Sequence, residues 1–210
     1  MDIPVIGFTG RKLPSQTRSR ERVEKILSAT AGLLIEVDIN EITTSTIAKQ
    51  ADIPVGSVYQ YFSERDSVLL ALGQRVIENM IQKLQSVFSE VSETAHWRHV
   101  VREMLKVYLE IHMQDDLYHR LAKALHNNDE WHRYNITIEQ KMVEFLSQYG
   151  LLEERGYNEQ QIDDTVRLLV MMCSAVVQRI KDLPSKNKAD RMLVELQDAV
   201  IAYLATKLGD

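Results

Sequence analysis

The chain has 210 residues, 45% of them hydrophobic, and carries 25 Lys and Arg against 30 Asp and Glu for a net charge of −5. That balance belongs to an ordinary water-soluble globular protein and excludes low-complexity, collagen-like and disulfide-framework chains. The single cysteine, Cys173, cannot form an intrachain disulfide, which points to a reducing cytoplasm.

Residues 1–17, with Gly7, Gly10 and Pro14, read as an arm. They lack a basic n-region followed by a long apolar run, so no secretory signal is expected. The acidity of the chain is uneven. Residues 1–65 hold 8 basic and 8 acidic side chains, so the whole deficit lies beyond them. Within 11–25, Arg11, Lys12, Arg18, Arg20, Arg22 and Lys25 face only Glu21 and Glu24. A local basic patch of this kind is an electrostatic footprint for nucleic acid even on an acidic protein.

The first predicted helix covers about 18–37, with Val23, Ile26, Leu27, Thr30, Leu34 and Val37 on one face. After the loop Asp38-Ile39-Asn40 come two short helices joined by a tight turn, within residues 42–66. Thr43 or Thr44 can cap the first of them. Ile47, Ala48 and Ala51 form its small apolar face, and Ile53, Val58 and Tyr61 answer from beyond the turn. Asp52 is expected to take a left-handed backbone, which Asp tolerates better than most residues. Pro54 suits the first turn of the second helix, where a missing N–H costs little. Ser63 stands three residues before Asp66, the spacing of a capping box that opens the next helix.

Such a pair suggests a helix-turn-helix that lays its second helix in the DNA major groove. Val55, Gly56, Ser57 and Gln60 are short or amide-bearing. Gln can bond adenine at two points, and an apolar Val can meet a thymine methyl. Tyr59 and Tyr61 can donate to phosphates, contacts that position the protein without reading sequence. Arg65, at the start of the following helix, offers another phosphate a charge.

Next comes a connector helix of about 65–90, striped by Val68, Leu69, Leu72, Val76, Met80, Leu84 and Val87. Further helices are expected at 97–113, 117–126, 129–149, 159–182 and 189–207, with no strand. Asn158 and Gln161 have the spacing of a cap for the fourth of these, and 184–188 read as a polar hinge loop. Ile162, Val166, Leu169, Cys173, Val176 and Ile180 stripe one of the last two helices; Met192, Leu196, Ala199, Val200, Tyr203 and Leu204 stripe the other. Residues 168–177 are apolar nearly all round, so that helix buries more than one face. This suits either a dimer built as a four-helix bundle or a helix central to its own domain. The stretch is too short to span a bilayer.

Met104, Tyr108, Trp131, Tyr134, Met142, Phe145, Met171, Met172 and Cys173 are candidates for lining an apolar ligand pocket, plain core packing being the alternative for each. The six histidines, His96, His99, His112, His119, His126 and His132, form no tight ligand spacing, so no metal is expected. With no phosphate loop, nucleophile elbow or zinc-protease motif, neither catalysis nor a cofactor is expected.

Thr43-Thr44-x-x-Ile47-Ala48, Ala51-Asp52-Ile53 and Gly56-Ser57-Val58-Tyr59-Gln60-Tyr61-Phe62, in that order, resemble the DNA-binding head of the tetracycline-repressor (TetR) family of bacterial regulators over roughly residues 20–75. The resemblance implies phosphate and base contacts at Thr43, Thr44, Ser45, Val55, Gly56, Ser57, Tyr59, Gln60, Tyr61 and Arg65. Asp52 replaces the family's usual Gly, Pro54 a usual Ser, and Val55 an often polar residue. The expected architecture is all-α: an arm at 1–17, a helix-turn-helix domain at 18–65, and a ligand-binding and dimerisation body at 66–210. The implied function is a cytoplasmic homodimeric regulator, a repressor released from a palindromic double-stranded operator by a small apolar ligand, with no membrane partner. Two alternatives stand beside it: a DNA-binding protein of this fold that acts through a protein partner, and a helical ligand carrier or enzyme.

Overall fold

A computed structural model describes residues 17–90, 96–114, 116–147, 150–180 and 182–209. The expected arm at 1–17 lies outside the described residues but for Thr17. Among the described residues the structure is helical with no strand. The helices are α1 (Thr17–Glu36), α2 (Thr44–Gln50), α3 (Val55–Tyr59), α4 (Arg65–Glu90), α5 (Trp97–Gln114), α6 (Asp116–Ala124), α7 (Asp129–Ser147), α8 (Glu159–Ile180) and α9 (Lys186–Leu208), with single 3-10 turns at Ile39–Glu41 and Glu153–Arg155.

Two compact units divide these helices. The first holds the described residues up to Met80 and those from Asp116 to His132. Its core is built on Ile26, Ile42, Ile47, Val58, Val68, Leu69, Leu72 and Leu121, all essentially without solvent contact. Arg120 on α6 donates from Nη1 to the carbonyl of Leu34 at 3.0 Å, satisfying one of the orphan acceptors in the last turn of α1. Arg75 on α4 pairs with Glu24 on α1.

The second unit holds Ile81–Gln114 and Arg133–Asp210. Its core joins Trp97, Val101, Leu105 and Leu109 of α5 to Val143 of α7, Val166, Val170, Cys173 and Val177 of α8, and Leu196, Val200, Ile201 and Leu204 of α9. The stripe read on α8 is thus intramolecular at Val166, Cys173 and Ile180. Leu196 and Val200 of the α9 stripe are likewise core. The second apolar face of α8 is a different one: Leu168 and Met171 are 50% and 54% exposed.

Helix ends follow local chemistry. Asn158 and Gln161 exchange reciprocal 3.0 Å bonds at the start of α8, as their spacing predicts. Ser185 caps α9, which therefore starts three residues earlier than its apolar pattern suggests. The expected cap at Ser63 is made one residue along. Because α4 begins at Arg65, Glu64 precedes it, and the Ser67 hydroxyl accepts from the Glu64 N–H at 3.2 Å while donating to the Glu64 carbonyl at 2.6 Å.

Candidate DNA-binding head and ligand-binding body

Thr43 is the N-cap of α2. Its hydroxyl accepts from the Thr46 N–H at 3.1 Å, and Thr46 Oγ1 accepts from the Thr43 N–H at 2.8 Å. Sequence reasoning overlooked Thr46, because the capping-box pattern is usually closed by Glu or Gln. Ile47 and Ala48 are buried under this cap, and the helix ends as the turn requires. Asp52 has φ of 50°, the left-handed conformation expected of it. On either side, Asp52 N–H bonds to the Lys49 carbonyl at 3.2 Å and Ile53 N–H to the Ala48 carbonyl at 3.0 Å. Those two bonds make a Schellman stop, in which one left-handed residue reverses the chain while satisfying orphan carbonyls.

Pro54 then stands immediately ahead of α3 as its N-cap, where its missing N–H leaves no helical bond unmade. Val58 and Phe62 point inward and are buried. What remains outward is a small-featured surface. Val55 is 41% exposed, Gly56 and Gln60 are exposed, and Ser57 and Tyr61 are half-buried. A Cβ built on Gly56 would meet nothing within 4 Å. Tyr59 is 51% exposed, and its hydroxyl lies 2.9 Å from Thr44 Oγ1. Thr43 and Ser45 are exposed and Thr44 half-buried. The expected contact residues from α2 and α3 thus belong to one compact helix-turn-helix. Arg65 is partly occupied: its guanidinium bonds to its neighbour Asp66 at 2.8 Å through both Nε and Nη2. A phosphate at Arg65 would share the cation with that carboxylate.

The residues expected to line a ligand pocket divide. Trp131 lies in the first unit, buried, with its ring 6.2 Å from that of Tyr118. The others lie in the second unit. Tyr108, Met142, Met172 and Cys173 gather at one core. Met104 and Phe145 are half-buried and Tyr134 is buried. Met171 faces outward. Burial pushes the Cys173 thiol up to about 11, so it stays neutral and inert as a nucleophile. Among the histidines, His126 and His132 direct a ring nitrogen at the carbonyls of Lys123 and His126, at 3.0 and 2.6 Å. Among the described residues no three His, Cys, Asp or Glu converge as a metal site. No described helix is long and apolar enough to cross a membrane.

Residues 26–72 match the profile of bacterial regulatory proteins of the tetR family. A fatty acid metabolism regulator protein of Bacillus subtilis is 23% identical over 196 residues, covering 90% of this chain and 96% of that protein. An uncharacterized helix-turn-helix-type transcriptional regulator of Haemophilus influenzae is 31% identical over 67 residues, and the match spans only 36% of that protein. A TetR-family transcriptional regulator of Streptomyces coelicolor superposes with a TM-score of 0.61 at 25% identity, over 89% of this chain and 99% of the other.

Proposed function

Because the chain belongs to the tetR family of bacterial transcriptional regulators, we propose that it is a cytoplasmic homodimeric repressor, released from a palindromic operator when a small apolar molecule enters its body. The base-reading surface is Val55, Gly56, Ser57 and Gln60. Thr43, Thr44, Ser45, Tyr59, Tyr61 and Arg65 supply the phosphate contacts.

The observation that carries the ligand half of this reading is the likeness to the fatty acid metabolism regulator of Bacillus subtilis, which runs through the body as well as the head. An acyl compound is therefore the ligand class favoured here. The adaptable thioethers and aromatics of the second unit suit such a chain: Met104, Tyr108, Met142, Phe145 and Met172, together with Tyr134 and Cys173.

The half-exposed Leu168 and Met171, with Ala175 exposed on the same face of α8, support a second copy as the partner of that face. On α9, Met192, Ala199 and Ala202 are also exposed. Two recognition helices in a dimer must meet successive major grooves, about 34–36 Å apart or a multiple. A ligand that favours another separation weakens both half-sites together, by its difference in affinity for the two states.

Selection from random-sequence DNA followed by titration with acyl methyl esters of increasing chain length tests the whole reading. The expected result is an inverted repeat whose complex dissociates as ester is added. A selected site with no dyad symmetry, or a complex indifferent to every ester, would refute it.

A further inference from the structure

Trp97 opens α5, is 7% exposed, and has its Nε1 buried with no hydrogen-bond acceptor. The indole nitrogen is a donor only. A donor left unpaired in a core costs free energy comparable to a lost hydrogen bond, and calls for a reason. The ring itself is held in place. The Arg98 guanidinium carbon lies 4.6 Å from its centroid, and the His96 ring tilts against it at 5.8 Å.

Trp97 is one end of a stripe. Trp97, Val101, Met104, Tyr108 and His112 recur at helical spacing along one face of α5. At 1.5 Å of rise per residue this stripe is about 22 Å long. Val101 shares the core with Trp97, and Tyr108 packs against that core. His112 meets Tyr108 edge-on, with ring centroids 4.4 Å apart. The half-buried Met142, Leu146 and Met172 pack on the same core and can yield to a guest.

The inventory of buried polar groups limits what the guest can carry. Among the described residues of this unit, no Lys, Arg, Asp or Glu is buried; the buried His112, whose Nδ1 also has no hydrogen-bond partner, stands at the opposite end of the stripe from Trp97, about 22 Å away along the helix. Thr165 is buried but donates to the Gln161 carbonyl at 2.7 Å. A carboxylate or phosphate drawn to the Trp97 end of this core would meet no permanently charged buried side chain, which is costly. An uncharged oxygen needs only one donor.

We propose that the Trp97 Nε1–H is the donor that holds an uncharged carbonyl oxygen of the body's apolar ligand, whose chain lies along Val101, Met104 and Tyr108. This rests on the reading that the body takes an apolar molecule. It names the ligand's polar end as an ester, amide or ketone carbonyl instead of a free carboxylate.

The test uses the full chain with methyl octanoate, octane and sodium octanoate as probes. The chain has 2 tryptophans, so the indole N–H signal of Trp97 in a ¹H–¹⁵N spectrum is assigned by its loss in Trp97→Phe. Methyl octanoate is expected to move that signal downfield, whereas octane leaves it in place. By calorimetry the ester should bind about tenfold tighter than octane, the worth of one buried hydrogen bond, and tighter than octanoate. In Trp97→Phe, which keeps a ring but lacks the donor, the preference for ester over octane should vanish. The ratio of the two affinities is the readout, since lost packing affects both probes. If that variant fails to fold, the Trp97 signal is the one that remains in Trp131→Phe, and the spectra of the unaltered protein decide. An ester that binds without moving the Trp97 signal, or an octanoate that binds tighter than the ester, overturns the proposal and leaves the apolar-ligand reading standing. Binding of none of the three overturns both.

Discussion

Gly73 on α4 lies directly against the ring of Trp131 at the start of α7. A Cβ at position 73 would stand 3.0 Å from the ring's Cη2 and closer still to Cζ3. Trp131 cannot easily withdraw, because its backbone N–H bonds to Asn128 Oδ1 at 3.0 Å and its side chain is buried. The glycine is therefore there for close approach. Gly73→Ala gains helix propensity but overpacks the contact, and should lose about 1–3 kcal/mol of stability. Thermal unfolding should show a net fall in Tm, with part of the loss recovered when Trp131→Leu is added. A Gly73→Ala variant as stable as the parent would mean that the contact is loose.

Gly56 presents the opposite case. Open space surrounds the place of its Cβ, and it is a helical residue, so nothing within the protein requires glycine there. Gly56→Ala should leave stability unchanged or raise it by up to about 1 kcal/mol. If a DNA surface approaches this backbone, the added methyl should weaken operator binding by roughly tenfold or more. Melting and DNA titration measured on the same sample separate the two effects. Unchanged affinity would remove Gly56 from the interface.

Tyr59 and Gln60 should divide the labour of the recognition helix. Tyr59 reaches back to Thr44 with its hydroxyl, which holds the ring over the start of α2, where a phosphate contact positions without reading. Tyr59→Phe should weaken binding to all DNA sequences by a similar factor, about three- to tenfold. Its effect on stability should be under about 0.5 kcal/mol, as the site is exposed. Gln60→Ala should instead change preference at particular base pairs. Equal and uniform losses for the two variants across an operator panel would refute the division.

How far the sequence alone reaches is set by the range of the interactions involved. The Thr43 cap, the left-handed Asp52 and the small Ala48 at the crossing are decided within a few residues of chain, so the helix-turn-helix is legible. The connector's limits are legible too, because a 3.6-residue stripe runs unbroken along it. What is not legible depends on partners far away in sequence. Nothing near Arg120 announces that it caps Leu34, 86 residues earlier. On α8 the apolar residues go nearly all round, so periodicity cannot choose the core-facing side. The Ser63 cap was misjudged by one residue because Ser63 and Ser67 both stand near the helix start, and only the backbone decides which is used. Val55, Gly56, Ser57 and Gln60 can be placed on the outer surface, but any base that each would meet is set by DNA that the chain does not contain.

Cys173 gives a pH dependence with a definite sign. Burial raises its thiol from 9.0 to about 11, so the folded state holds the proton more tightly than the unfolded chain does. That stabilisation is fully present below about pH 9 and is lost as pH rises towards 11. Stability should therefore fall over this alkaline window more steeply than in Cys173→Ala, compared by urea unfolding at each pH. Parallel curves for the two proteins would show that the thiol is not held neutral by the fold.

Assembly turns on which face of α8 and α9 is free. Leu196 is 4% exposed and belongs to the protomer's own core with Val200 and Leu204. Leu196→Asp would bury an unpaired carboxylate there, a cost of several kcal/mol, and should unfold the second unit whatever the oligomeric state. Leu168 and Met171 lie on the other side of α8, half exposed within a single chain. If a second copy covers that face, Leu168→Asp or Met171→Asp forces a charge into the interface while leaving the protomer intact. Such variants should keep their helical content, sediment as monomers at concentrations where the parent is a dimer, and lose operator affinity by roughly two orders of magnitude or more. That last loss follows because two linked heads bind jointly and one alone binds poorly. Folded dimers with full DNA affinity in both Leu168→Asp and Met171→Asp would place the interface elsewhere. Monomers that still bind the operator tightly would show instead that one head suffices.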